Sequence, residues 1–386
     1  MLFGEIIGHT ALKNRLINTV LQNRVSHAQL FLGAEGSEKL ALAIAYGQFI
    51  CCTHKNFKPD DESLIADSCG QCPSCTKYQK LAHPDLHFIF PVATTKKVNT
   101  KPVSENFLVE WREALLESNY YLNLNEWYEK IGIENKQARI GVDDANQIIR
   151  TLSLKAFESE YTVLVIWMVE KLYHAAAPKL LKILEEPPEK TLFILVTENH
   201  DQILNTIISR TQLVKLYSHP DDEMKEYLNS FHQISGDRLQ QLVNHSEGSF
   251  KKAFELMDTD DKEDFNYTHF REMMLFAYGN NFIKMREKVG QISDIGRERI
   301  KQLLNYGLHI TRLCLLYDLG KHELVRSDGQ EFEFISKFSK FVNQKNAAGI
   351  MEILSQGIYH IERNGNAKII LLDIMLQSSL LLRKTS

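Results

Sequence analysis

Gly33-Ala34-Glu35-Gly36-Ser37-Glu38-Lys39-Leu40 is the stretch on which the reading of this chain turns. It stands between an apolar run, Ala28-Gln29-Leu30-Phe31-Leu32, and a helical run, Leu40-Ala41-Leu42-Ala43-Ile44-Ala45. Strand, glycine loop and helix in that order are the setting of a phosphate-binding loop, whose working pattern is G-x-x-x-x-G-K-[ST]. Here Glu38 replaces the last glycine, and Leu40 replaces the hydroxyl residue that holds Mg²⁺. A carboxylate aimed at a polyphosphate repels it, and leucine offers no oxygen to a hard cation. Gly33, Gly36 and Lys39 are kept. The shape of a nucleotide loop is therefore expected without its chemistry, and ATP hydrolysis by this chain is not.

Outward from the loop, strands and helices alternate. Thr10 can cap a helix with apolar positions Leu12, Leu16, Val20 and Leu21, which leads to the strand Ala28–Leu32. The segment from Leu40 to Cys52 is helical by periodicity, residues 56–67 are polar and loop-like, and residues 85–91 form a second strand that stops at Pro91. Residues 94–139 interrupt the pattern. They begin basic and polar and continue with Trp111, Leu115, Leu116, Tyr121 and Trp127, as short helices of an insertion would. From Val142 to Leu152 a helix is expected again. Tyr161–Trp167 and Thr191–Thr197 are continuous apolar strands of the kind buried on both faces in a parallel sheet. Between them lies a helix, 176–186, stopped by Pro187-Pro188, and residues 202–208 and 213–216 add a further helix and strand. Alternation of this kind indicates a doubly wound α/β domain. After His219-Pro220 only helices are expected: three short ones to about residue 257, then longer amphipathic ones to the end.

With 386 residues the chain has room for two or three domains. A net charge of -4 excludes a global basic field, so contact with DNA would need a local patch or a partner. The N-terminus lacks the pattern of a signal peptide and no apolar run approaches a membrane span, so a cytoplasmic protein is expected.

Three constellations bear on chemistry. Cys69-Gly70-Gln71-Cys72-Pro73-Ser74-Cys75 sets three thiols at a spacing that lets them converge on one tetrahedral ion. Structural zinc is almost always four-coordinate, and Cys52 is the expected fourth ligand, with Cys51 the alternative. No acid–base set accompanies them, so a structural Zn²⁺ is expected rather than a catalytic one. Second, the strand ending Ile166-Trp167-Met168-Val169-Glu170 stands where a Walker B segment would place its acids, and Trp167 and Met168 bind neither metal nor proton. Third, Ser209-Arg210-Thr211 follows the strand end Thr197-Glu198-Asn199. An arginine in that position can reach a neighbouring subunit's nucleotide.

Taken in order, these landmarks resemble one family: the delta-prime subunits of bacterial DNA polymerase III clamp loaders, within the AAA+ proteins. The matching residues are Ile6-Ile7-Gly8-His9, Ser26-His27-Ala28, the degenerate loop, the cysteines, His83-Pro84-Asp85, Lys182-Ile183-Leu184-Glu185-Glu186-Pro187-Pro188-Glu189-Lys190-Thr191 and Ser209-Arg210. The Trp167-Met168 strand end is similar to a variant of Bacteroidetes-type members. The resemblance implies α/β plus all-α architecture. A RecA-like AAA+ domain (1–217) would carry the zinc module (52–75) and the insertion (94–139), followed by a helical lid (218–259) and a C-terminal helical collar (260–386). It implies a non-catalytic stator in a hetero-pentamer with delta and gamma/tau subunits, which loads the beta sliding clamp on primer–template DNA. Arg210 would be the finger that completes the adjacent gamma/tau ATP site. Two departures stand out: Thr211 replaces the usual cysteine, and Lys251, in Gly248-Ser249-Phe250-Lys251, occupies the sensor-2 arginine position. The competing readings are a gamma/tau-like ATPase tolerant of Glu38 and Leu40, and a zinc-dependent nucleic-acid-binding module.

Overall fold

A computed structural model describes the chain except for residues 58–63, 134–135, 259–264, 326, 328 and 384–386. It divides into two units, Met1–Met224 with Gly248–Lys251, and Lys225–Glu247 with Lys252–Ser386.

The first unit is built on five parallel strands: β1 (Ala28–Leu32), β2 (Leu86–Ile89), β3 (Thr162–Trp167), β4 (Thr191–Thr197) and β5 (Gln212–Lys215). Their order across the sheet is β2-β3-β4-β1-β5. Register is set by Ala28 opposite Phe193, Gln29 opposite Gln212, Thr162 opposite Thr191 and Leu86 opposite Val163. Every residue of β3 and β4 is buried, as expected of strands covered by helices on both faces. Side chains alternate between two cores. Phe31, Val163, Val165, Ile194 and Val196 join Leu42, Tyr46 and Phe49 of helix α2 (Lys39–Cys51) on one face. Leu30, Leu164, Ile166, Phe193 and Leu195 join Ile148, Leu152, Leu180 and Leu184 on the other.

Two local expectations change, and the insertion keeps to its own. Helix α1 (Thr10–Leu21) begins after His9, which takes the N-cap place in a left-handed conformation (φ 54°); Thr10 is thus the first helical residue and not the cap. The polar stretch after α2 contains a short antiparallel pair, Asn56–Phe57 with Ala66–Asp67. The insertion forms a single 3₁₀ turn (Ser104–Phe107) and two helices, Leu108–Glu117 and Leu124–Ile131. The second of these is closed by a reciprocal cap in which Asn123 and Glu126 each accept the other's backbone N–H at 2.9 Å.

The insertion is anchored by aromatic packing. Trp111 stacks on Phe90 with ring centres 4.2 Å apart and lies 5.1 Å from Trp167, while Trp127 donates its indole N–H to the Pro91 carbonyl at 2.9 Å. Trp167, at the end of β3, is therefore part of the bed on which the insertion rests.

In the second unit the described residues form helices throughout, without strands. The longest are Arg297–Asp318, Ala347–Glu362 and Ala367–Arg383. Leu304, Ile310, Ile350, Leu354, Ile374 and Met375 form their shared core. Gly357 permits close helix approach, since a methyl there would lie 2.5 Å from the end of Ile374. No helix of the described residues is long and apolar enough to cross a membrane.

Candidate functional site: a nucleotide loop closed on itself, and a cysteine cluster

The loop between β1 and α2 keeps the course of a phosphate cradle. Gly36 sits at φ 75°, which only glycine adopts without strain, and Glu38 holds the N-cap position of α2 without a side-chain capping bond. What fills the cradle is the chain's own charge. Glu38 is 1% exposed. Its carboxylate lies 3.0 Å from His9 Nε2 and 3.1 Å from His219 Nε2, and it accepts the Tyr121 hydroxyl at 3.2 Å. Burial by itself would raise the pKa of Glu38, but the imidazoles of His219 and His9 pull it down to about 2. His219 moves the other way: burial lowers it, yet Glu38 and Glu223 raise it overall.

Lys39 is equally committed. Its ammonium donates to the Ala34 carbonyl at 2.9 Å and to Glu198 at 3.0 Å. Glu198, at the end of β4, thus lies where a γ-phosphate would meet the lysine of a working loop. Behind it Glu170 accepts the Glu198 backbone N–H at 3.0 Å, and burial raises the Glu170 pKa. Trp167 and Met168 are buried and carry no oxygen for a metal ion. Lys251 is paired with Glu126 of the insertion at 2.6 Å. The sequence showed the losses at Glu38, Leu40, Trp167 and Met168. It did not show the partners His219, Tyr121 and Glu198, although His9 and His219 lie in segments that stand out as a landmark and a boundary.

Arg210 lies apart from this loop, just after the short helix Asn205–Ile208 that follows β4. Its guanidinium is about a third exposed. It pairs with Glu185, at the end of the helix before Pro187-Pro188, and donates to the Thr206 carbonyl at 2.8 Å. The guanidinium thus has a neutralising acid from the same chain.

Cys52, Cys69, Cys72 and Cys75 come together, and their sulfurs could hold a metal ion. Cys52 Sγ lies 3.7 Å from Cys69 Sγ, which lies 3.9 Å from Cys75 Sγ. Sulfurs at a tetrahedral zinc would be about 3.8 Å apart, from Zn–S bonds of about 2.3 Å. Backbone N–H groups of Cys69, Cys72 and Cys75 point at the sulfurs of Cys52, Cys69 and Cys72 at 3.3–3.4 Å. The donor set and spacing fit a structural ion. Cys51 faces elsewhere, with its sulfur 3.3 Å from the Tyr78 hydroxyl.

Comparison with known proteins adds the following. A family described as DNA polymerase III, delta subunit, matches residues 8–220, more than half of the chain. The chain is 27% identical over 198 residues to DNA polymerase III subunit delta′ of Bacillus subtilis, covering 51% of this chain and 44% of that protein. It is 25% identical over 261 residues to DNA polymerase III subunit gamma of Buchnera aphidicola, covering 66% of this chain and 58% of that one. Across 351 residues it is 25% identical to DNA polymerase III subunit delta′ of Haemophilus influenzae, covering 90% and 88%. The match thus spans less than two thirds of the first two relatives' own length.

Proposed function

We propose, from the premise that this chain belongs to the DNA polymerase III delta-subunit family, that it is a delta-prime clamp-loader subunit that does not itself hydrolyse ATP. In this reading it assembles with delta-type and gamma/tau-type subunits and helps to place the beta clamp on primed DNA. The polymerase label belongs to the holoenzyme. Residues 218–259 serve as the lid and 260–386 as the collar that joins the ring. The observation that carries the reading is the contrast between two cationic sites. The nucleotide loop is filled by buried Glu38 and by Glu198 on a buried Lys39, while Arg210 and its partner Glu185 both lie on a partly exposed edge. A permanently charged, forked donor suits a neighbour's phosphate oxygens.

The test is ATP turnover of the reconstituted complex, stimulated by clamp and primed DNA, with wild-type chain against Arg210→Ala. A finger acting in trans contributes on the order of 10³-fold or more at the site it completes. The expected result is loss of turnover at one site in a complex that still assembles. Arg210→Lys should not rescue it, because a point charge cannot copy the fork. Unchanged turnover with Arg210→Ala would refute the assignment.

A gamma/tau-type ATPase is the second reading, favoured by the retained Lys39 and the gamma-subunit relative. It requires Mg-ATP to displace Glu198 from Lys39 and predicts saturable ATP binding by the isolated chain.

The four cysteines are proposed to hold one structural Zn²⁺. Removal of the ion by a strong chelator is expected to expose the short helix Pro73–Gln79 to protease. Full protection after chelation would argue against a structural role.

A further inference from the structure

We propose that His9, Glu38 and His219 form a second metal site, for zinc or a similar borderline divalent ion, in the cradle that has lost its nucleotide chemistry. Nε2 of both histidines and a carboxylate oxygen of Glu38 all lie within 4.8 Å of one another. The adjacent pairs are 3.0 and 3.1 Å apart. Ligands at a tetrahedral zinc would be about 3.3 Å apart, given Zn–N and Zn–O bonds of about 2.0–2.2 Å. Admitting the ion therefore asks for an opening of a few tenths of an ångström.

The decisive detail is the orientation of His219. Its Nδ1 lies 3.0 Å from Glu223 Oε2, and its Nε2 is buried without a hydrogen-bond partner despite the nearby Glu38 oxygen. Glu223 accepts the Nδ1 proton, so a metal ion that displaced the proton of Nε2 would find that nitrogen beside the Glu38 carboxylate. The ion would take the place of that proton as the positive charge between His219 and Glu38. A carboxylate behind a ligating imidazole is also the usual way a metal-bound histidine is oriented. Tyr121 completes the arrangement, since its hydroxyl binds Oε1 of Glu38 while the histidines face Oε2. Two imidazoles and one carboxylate are a donor set for zinc, cobalt or nickel rather than for Mg²⁺, which prefers oxygen. The proposal does not depend on the clamp-loader reading.

The whole chain is to be loaded with Zn²⁺, dialysed, and its metal counted before and after a mercurial thiol reagent. The reagent strips the cysteine-held ion and leaves histidine-held zinc in place. A thiol-insensitive equivalent is expected in the wild type and absent from Glu38→Gln and His219→Gln. Glu223→Gln should retain the site with roughly 10–100-fold weaker affinity. His9, at the edge of the cluster, provides a variant that tests the site with least risk to folding. His9→Gln, shown folded by circular dichroism, should also lack the insensitive equivalent. No thiol-insensitive zinc in the wild type, or its survival in folded His9→Gln and Glu38→Gln, would leave a hydrogen-bonded charge cluster and overturn the proposal.

Discussion

Lys39 and Lys13 show how differently two buried lysines behave in one small region. Lys39 is 3% exposed and has a direct acid partner in Glu198, whereas Lys13 is 4% exposed and donates to the Ile6 carbonyl. Breaking a buried pair from one side leaves the other charge uncompensated, at a cost of about 3–5 kcal/mol. Glu198 is partly exposed, so Lys39→Met is expected nearer the low end, about 3 kcal/mol by urea unfolding. Lys39→Met with Glu198→Gln should recover most of it. A Lys39 variant with unchanged stability would mean the lysine is free for another ligand. Lys13 gives a pH effect of definite sign. Burial lowers its pKa from 10.5 to about 8, opposed only in part by Asp67 and Glu38. Between pH 8 and 10.5 the unfolded chain holds this proton and the folded chain does not, so stability rises with pH across that window. Lys13→Met should remove that rise; an identical pH profile for both proteins would show that Lys13 does not titrate there.

At the level of elements, what was legible depended on whether a segment is held by its own pattern or by something distant. The strands β3 and β4 announced themselves through unbroken apolar runs, and the cysteine cluster through thiol spacing. The start of α1 did not, because a left-handed His9 is stabilised by neighbours far along the chain. The insertion was recognisable as short helices, but its anchoring was not, since the Trp111–Trp167 contact joins residues 56 positions apart. The same distance hid the charge partners of the nucleotide loop: Glu38 meets Tyr121 and His219, and Lys39 meets Glu198. Local periodicity holds no record of such pairings. They bear on stability in a way that can be measured. Trp127 is fully buried and also donates a hydrogen bond to Pro91. Trp127→Ala is therefore expected to cost about 3–5 kcal/mol by urea unfolding, the usual range for a buried tryptophan. A cost under about 1 kcal/mol would mean that the insertion is not integral to the first unit.

For the whole molecule the question is whether the departures from a phosphate-loop pattern are a few substitutions deep or are built into the fold. Repairing the loop alone, with Glu38→Gly and Leu40→Thr, restores the phosphate-loop pattern in sequence. It leaves Glu198 on Lys39, and it leaves Trp167 under Trp111 where a metal-holding acid would have to stand. Adding Trp167→Asp would set a carboxylate into a bed of aromatic rings with no partner, a burial that costs several kcal/mol unless the ion is paired. The loop-repaired chain is thus expected to show no Mg²⁺-dependent ATP hydrolysis above the wild-type level. The chain that also carries Trp167→Asp should unfold at distinctly lower urea. Hydrolysis returning with the two loop changes alone would sink this argument, for it would show that a working site was still present beneath Glu38 and Leu40. If the triple variant instead stays folded and inert, the barrier lies in the missing room for nucleotide. The insertion, which supplies Tyr121 to Glu38 and Trp111 to Trp167, would then be the element that closed the site.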